Sequence, residues 1–222
     1  MVNRREIPDP TVSRLSIYAR CLERLIKDNI NVISSDELAD CAGVNAAQVR
    51  KDLSYLGSFG RRGVGYETHH LLNRVSYSLG LSKERTLVIV GAGKLGSALL
   101  LYKGFREKGF KPVASFDVDK DKIGKTIGGV RVYGLSRLKE ILRKKNPEIG
   151  IIAVPASHAQ EVANELVEAG IRSILNFAPT ILKVPPEVVF RQVDLSLELV
   201  AISYYLNTRI PVEKSATEGF HD

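Results

Sequence analysis

Thr86-Leu-Val-Ile-Val90 runs directly into Gly91-Ala92-Gly93-Lys94-Leu95-Gly96, and this passage decides the fold. A β-branched strand that ends on one glycine and opens a helix around two more is the phosphate-binding turn of a dinucleotide fold. Each glycine has a separate reason. Gly91 permits the tight turn, Gly93 lets backbone approach a pyrophosphate, and Gly96 allows helix to pack closely on strand. The first helical amides then face the negative phosphates.

Reading downstream, Asp117 falls about 20 residues after Gly96, at the end of the next strand, where a carboxylate accepts both adenosine ribose hydroxyls. With Val118 beside it, this favours NAD+ and NADH over the 2′-phosphorylated forms, which the carboxylate repels. Lys120 and Lys122 weaken that exclusion. Strands and helices then alternate: Pro112–Asp117, Val130–Tyr133, a helix over 136–145, Ile149–Val154, a helix over 158–169, Ser173–Leu175 and Val188–Val193. Near-continuous apolar strands between helices predict a Rossmann-like parallel sheet covered on both faces. Ligands in such sheets sit at the carboxyl edge. Val154 and Pro155, then Asn176, Phe177, Ala178 and Pro179, fall at that edge and could line a nicotinamide pocket. An apolar pocket prefers the neutral reduced ring to the cationic oxidised one, because burying an unpaired charge is costly. His158 near the same edge could be imagined as a general acid, but no partner carboxylate or substrate-binding arginine stands out beside it.

Upstream, the pattern changes. Pro8-Asp9-Pro10 starts a helix that runs to about Asn29, and Ser34 with Glu37 has capping-box spacing for a short second helix through Cys41. Ala42-Gly43-Val44 turns the chain, and Asn45 caps a third helix to about Leu56. The run Gly57–Tyr66, rich in glycine with Phe59, Val64 and Tyr66, predicts a β-hairpin. Together these form a winged helix-turn-helix, whose third helix enters a DNA major groove by its first turns. Ala46 allows close approach, Gln48 suits adenine, Arg50 suits guanine and Lys51 neutralises phosphate. Ser54 and Tyr55 follow on that helix, and Arg61 and Arg62 form the tip of the wing. Between Cys41 and Tyr66 these basic residues face only Asp52.

The predicted architecture is therefore α/β with two domains: a reader over 1–80, a dinucleotide-binding domain over 84–207, and a tail over 208–222. The composition agrees: 222 residues, 44% hydrophobic and 26% charged, belong to an ordered globular chain. The net charge of +7 suits a polyanionic partner without locating it. No run suggests a membrane span or a signal peptide, so a cytoplasmic protein is expected. Cys21 and Cys41 have no metal-type spacing, and both read as small buried hydrophobes rather than a disulfide. The alternative for them is a thiol redox sensor.

The run Val49-Arg-Lys-Asp-Leu-Ser-Tyr-Leu-Gly-Ser-Phe-Gly-Arg-Arg-Gly-Val-Gly-Tyr66, with Gly91–Gly96, Val154-Pro155 and Asn176–Pro179, resembles the Rex family of redox-sensing transcriptional repressors over essentially the whole chain. The resemblance implies a homodimer that binds double-stranded inverted-repeat operator DNA and leaves it when NADH rises relative to NAD+. It also implies that the last helix, Asp194 to Leu206, is exchanged between subunits near the nicotinamide pocket. Asp194, with Tyr102 on the first helix of the dinucleotide domain and Arg20 on helix one, is then the expected relay. Two rival readings remain open: a small NAD-dependent oxidoreductase, and a regulator whose adenine ligand is an acyl-CoA.

Overall fold

The computed structural model describes residues 7–57, 60–61 and 63–209. It divides into two compact units, 1–84 and 85–222.

In the first unit, α1 (Asp9–Lys27) begins behind Pro8 with a second proline in its first turn, where the missing amide costs nothing. It buries Leu15, Tyr18, Ala19, Cys21 and Leu22. The two-residue strand β1 (Val32–Ile33) leads to α2 (Ser35–Ala42). Here the capping box forms as the spacing predicts: Ser34 Oγ accepts the Glu37 amide at 3.1 Å, and the Glu37 carboxylate accepts the Ser34 amide at 2.7 Å. Gly43, at φ 68°, ends the helix in the left-handed conformation that glycine adopts without strain. Asn45 Oδ1 accepts the Gln48 amide at 2.8 Å and starts α3 (Ala46–Ser54). Strand β2 (Tyr66–Glu67) and α4 (Thr68–Ser78) complete the unit. Leu15, Tyr18, Leu38, Val49, Leu53 and Leu71 meet in one core.

Two expectations need correction. The segment 57–66 has no regular hairpin ladder among its described residues. Its described part closes only at Arg61 and Gly65, which exchange backbone hydrogen bonds of 2.9 Å, while β2 pairs antiparallel with β1. Gly65, at φ 105°, lies so close to the Ile33 backbone that a side chain there would collide, so β1 holds the wing in addition to its own closure at Arg61 and Gly65. Second, Cys21 and Cys41 are not two separate buried hydrophobes: they form a disulfide between α1 and α2, with Cα atoms 6.1 Å apart. Their separation of 20 residues matches no short motif, so only the helix packing brings them together.

The second unit is a seven-stranded sheet in the order β5-β6-β4-β3-β7-β8-β9. Its elements are β3 (Arg85–Val90), α5 (Lys94–Leu101), α6 (Lys103–Glu107), β4 (Phe110–Asp117), β5 (Thr126–Ile127), β6 (Val130–Gly134), α7 (Leu138–Lys145), β7 (Ile149–Ile152), α8 (Ala156–Glu168), β8 (Ser173–Asn176), β9 (Val189–Gln192) and α9 (Leu195–Arg209). All neighbouring strands are parallel except the small β5–β6 pair. Along β3, Val88 and Val90 enter one core with Phe116, Leu138 and Leu166, while Leu87 and Ile89 enter another with Leu100 and Ile151. Alternation with both faces buried is the signature of a sheet covered on both sides. Pro112, which cannot donate to the ladder, falls opposite Leu87 where the β3–β4 register shifts.

From β3 the chain moves outward through β4 to β6, then returns across to β7 and moves the other way. The reversal leaves a crevice at the carboxyl ends of β3 and β7, the place where open α/β sheets take ligands. A further correction concerns Tyr102, which does not lie within the first helix of this unit. Its extended backbone, φ −70° and ψ 110°, breaks the segment into α5 and α6, and its ring packs edge-on against Phe105. Helix α9 carries Leu195, Leu197, Leu199, Val200, Ile202, Tyr204, Tyr205 and Leu206, all exposed. These positions run around the whole circumference rather than along one stripe, so the helix is apolar all round.

Candidate functional site

At the carboxyl end of β3 the backbone turns at Gly91, whose φ of 99° is the region that favours glycine. A side chain on Gly91 would strike the Ala153 carbonyl, and one on Gly96 would strike the Gly91 carbonyl. Those two glycines are thus required by the protein's own packing. Gly93 differs: it has an ordinary φ of −70°, and nothing lies within 4 Å of where a Cβ would stand. Gly93 is the residue before α5, which has no side-chain cap, so the amides of Lys94 and Leu95 are left for an external acceptor. An open face with unclaimed amides at the positive end of a helix fits an anion such as a pyrophosphate.

Asp117 ends β4 beside this turn. Its Oδ2 accepts the Ala92 amide at 2.7 Å, and its Oδ1 accepts the Asp119 amide at 2.9 Å. Oδ1 keeps a further lone pair for a hydroxyl donor, whereas Oδ2 also accepts the Lys122 ammonium. Lys122 Nζ stands 3.5 Å from Oδ2, so the carboxylate is partly neutralised and repels a 2′-phosphate less than it would alone. Val118, next along, is 76% exposed.

Across the crevice, Val154 and Pro155 lead into α8, with Pro155 exposed and Val154 partly buried. Asn176 has a different place from the one expected: it is fully buried. Its amide nitrogen donates to the carbonyls of Ala178 and Thr180 and to Gln192 Oε1, while its oxygen accepts the Ala178 amide at 3.0 Å. Asn176 therefore shapes the loop from Phe177 to Pro179 from beneath instead of lining its surface. Gln192, which donates to the Ala178 carbonyl at 2.8 Å, is a second brace that sequence reasoning missed. Phe177 is partly buried, Ala178 buried and Pro179 exposed. His158 stands exposed near the start of α8.

In the first unit, Arg50, Lys51 and Ser54 are exposed on α3, with Ala46, Gln48 and Tyr55 partly buried. Arg50, Ser54, Gly57, Arg61, Val64 and Tyr66 line an open groove of about 620 Å³ between α3 and the wing. Arg50 and Arg61 thus share one surface, and Lys51 lies next to Arg50. Arg62 lies outside the described residues. The Ser54 hydroxyl donates back to the Lys51 carbonyl at 2.6 Å.

Gln48 departs from its expected freedom. Its side-chain amide donates to Asp52 Oδ1 at 2.9 Å, leaving its carbonyl oxygen unengaged by that contact. Asp52, which sequence reasoning treated only as the lone acid in a basic stripe, is fully buried and central. Besides Gln48 it accepts Thr11 Oγ1 at 3.1 Å, Arg14 Nε at 2.6 Å and Nη2 at 2.8 Å, and the Tyr18 hydroxyl at 2.8 Å. The signal was its spacing: Asp52 falls on the same helical face as Val49 and Leu53, where an unpaired charge cannot stay.

Of the expected relay, Arg20 is exposed on α1, Tyr102 is exposed between α5 and α6, and Asp194 precedes α9. Asp194 Oδ1 accepts the Ser196 hydroxyl at 2.6 Å and its amide at 2.9 Å, which holds the carboxyl below the usual carboxylate range. No group of three metal-ligating side chains occurs among the described residues. No helix among them is long and apolar enough to cross a membrane.

Two family models match: a CoA binding domain over residues 82–180 and a putative DNA-binding protein N-terminus over residues 6–54. A redox-sensing transcriptional repressor Rex from Carboxydothermus hydrogenoformans is 52% identical, covering 90% of this chain and 96% of the relative. One from Pelotomaculum thermopropionicum is 49% identical over 96% of this chain and 98% of its own length. Among solved structures, RSP in complex with beta-NAD+ and operator DNA superimposes with a TM-score of 0.88 at 38% identity, covering 92% of this chain and 94% of that one. RSP in complex with beta-NADH gives 0.84 at 37% identity, covering 92% of this chain and 96% of that one. By that identity over nearly its full length, the chain belongs to the Rex family of redox-sensing transcriptional repressors.

Proposed function

We propose that this chain is a DNA-binding transcriptional repressor that senses the balance of NADH and NAD+, holding operator DNA when NADH is low and releasing it when NADH binds. The observation that carries the reading is the open face at Gly93, where unclaimed helix amides stand next to Asp117 in a chain that also presents Arg50 and Arg61 in one groove. In this reading Gly91, Ala92, Gly93, Lys94, Leu95 and Gly96 hold the pyrophosphate. Asp117 and Val118 receive the adenosine ribose, and Val154, Pro155 and the loop Phe177–Pro179, braced by Asn176, receive the nicotinamide. The dinucleotide supplies no chemistry to a substrate here: its oxidation state is the signal, and the chain is a regulator rather than an enzyme.

A ligand shifts an equilibrium only as far as it prefers one state. The apolar edge around Phe177 supplies that preference, since a cationic ring is costlier to bury there than a neutral one. The all-round apolar surface of α9 needs cover, which an exchanged helix in a homodimer gives it, and Asp194 at its start, with Arg20 and Tyr102, is the proposed relay to the readers. Such a repressor works where its operator is, in the cytoplasm.

The test is a fluorescence-anisotropy titration on a palindromic operator duplex at fixed salt. Addition of NADH is expected to strip the protein from the duplex, and addition of NAD+ to leave it bound. Equal retention in both would refute the reading, and Asp194→Ala is expected to blunt the NADH response. An acyl-CoA in excess should leave NADH binding unchanged; efficient competition would instead favour the CoA-type reading of the second unit.

On the reader, Arg50→Ala is expected to relax base preference, because a good bidentate contact discriminates by about 1–3 kcal/mol. Lys51→Ala should instead weaken all sequences alike and reduce the salt slope by about 1. Binding of each variant to cognate and scrambled duplexes over a range of salt separates the two roles. An equal loss of specificity in both would show that the division is wrong.

A further inference from the structure

The repressor reading gives the Cys21–Cys41 pair no role, although Arg20 of the proposed relay borders it. Cys21 sits on α1, and Cys41 sits in the last turn of α2, just before the Gly43 cap that turns the chain into α3. The pair opens into a cleft of about 250 Å³ lined by Ile17, Arg20, Cys21, Arg24 and Cys41. Cys21 is 7% exposed, whereas Cys41 is only partly buried. Arg24 Nη2 lies 3.4 Å from Cys41 Sγ, and both arginines of the cleft are exposed. A guanidinium at that distance favours thiolate over thiol at Cys41 once the bond is open, and the thiolate is the nucleophile. A repressor also works in a compartment whose thiol pool keeps dithiols reduced, where disulfides tend to be transient, catalytic or sensing.

We propose that Cys21 and Cys41 form an oxidisable dithiol site that takes hydroperoxides, giving the reader a redox input separate from the dinucleotide. The Cys41 thiolate attacks the outer peroxide oxygen; the O–O bond breaks, and the alkoxide or hydroxide released takes up a proton. Cys41 is left as a sulfenic acid. The Cys21 sulfur, as thiolate, then attacks the Cys41 sulfur, and hydroxide leaves with the Cys21 proton as water. Two thiols lose two electrons, and one hydroperoxide gains them and becomes an alcohol, or water, plus water. The closed bond ties α2 to α1 at the entrance to the helix-turn-helix, while Asp52 ties α3 to the same helix. With both ties made, the recognition helix has fewer arrangements to lose on meeting DNA, so the oxidised form binds operator more tightly.

The operator readout rests on the repressor reading; the thiol chemistry does not. Full-length protein is reduced with dithiothreitol, desalted and treated with hydrogen peroxide, then measured by mass spectrometry after iodoacetamide labelling and by operator anisotropy. Peroxide is expected to remove both labelling sites and to tighten operator binding by about fivefold, a gain of the size preorganisation gives. Cys21→Ser should stop at a sulfenic acid on residue 41 that dimedone traps, and Cys41→Ser should give no trapped product at residue 21. Failure of peroxide to close the bond, or sulfenic acid on Cys21 instead, overturns the site. Closure with operator affinity unchanged within twofold overturns the reader input, and if NADH still releases operator from both forms, the repressor reading stands without it.

Discussion

Gly93→Asp is expected to abolish NADH-driven release from operator DNA while leaving the protein as stable as its parent or slightly more so. The argument starts from space and charge. Nothing stands within 4 Å of the position a Cβ at residue 93 would take, and its φ is one any residue adopts. The substitution thus meets neither collision nor backbone strain. Residue 93 is also the N-cap of α5, which has no side-chain cap, and aspartate is preferred over glycine there by a few tenths of a kcal/mol. The new carboxylate occupies the amides that a pyrophosphate needs and adds a like charge beside it. At about 4 Å and an effective dielectric near 20, that repulsion is on the order of 4 kcal/mol. Such a penalty corresponds to roughly three decades in affinity. Calorimetric titration with NADH, a thermal melt and operator anisotropy together check it. A variant that melts as expected and still lets go of DNA at the parent's NADH concentration would mean that the phosphates are held elsewhere.

The contrast among the three glycines also shows what a sequence carries. Spacing alone locates the turn, because strand, glycines and helix follow one another locally, and the capping residues Ser34 and Asn45 are legible for the same reason. It does not reveal that Gly91 and Gly96 answer to the protein's own backbone while Gly93 answers to no neighbour; that requires the carbonyls of Ala153 and Gly91 to be in place. The features that escaped sequence reading depend on contacts between elements far apart in the chain. Asn176 reads as a pocket residue because it falls at the carboxyl edge of its strand, yet β9 brings Gln192 against it and turns its amide inward. Tyr102 sits in an apolar run that reads as unbroken helix, Leu99-Leu100-Leu101-Tyr102, and no local breaker announces the extended backbone there. Cys21 and Cys41 needed the packing of α1 on α2.

Asp52→Ala is expected to have the largest effect on the first unit: loss of operator binding and a stability loss of about 3–5 kcal/mol, the range for removing one partner of a buried ion pair. The carboxylate is fully buried and gathers donors from Thr11, Arg14, Tyr18 and Gln48, so it fastens the recognition helix to α1. Truncation leaves the Tyr18 hydroxyl buried without its acceptor, while Arg14, 24% exposed, recovers part of its loss by turning to water. Burial by itself pushes the Asp52 carboxyl up, but the bonds from Arg14, Tyr18, Gln48 and Thr11 together outweigh it and hold the group below its ordinary value of 3.8. A depressed value means that the ion pair contributes its full stability above the unfolded-state pKa near 3.9. That contribution is lost as pH falls below about 4 through the lower folded-state value, so the first unit should weaken in acid over that window. Asp52→Asn keeps the shape but removes the charge, and should flatten this acid dependence while costing less than alanine. Calorimetric melts between pH 2 and 7, read alongside NADH binding, distinguish the units: the dinucleotide domain should bind its ligand in both variants while operator binding fails in Asp52→Ala. If Asp52→Ala bound operator with the parent's affinity, the helix would be held by its apolar face alone and the carboxylate would be a passenger.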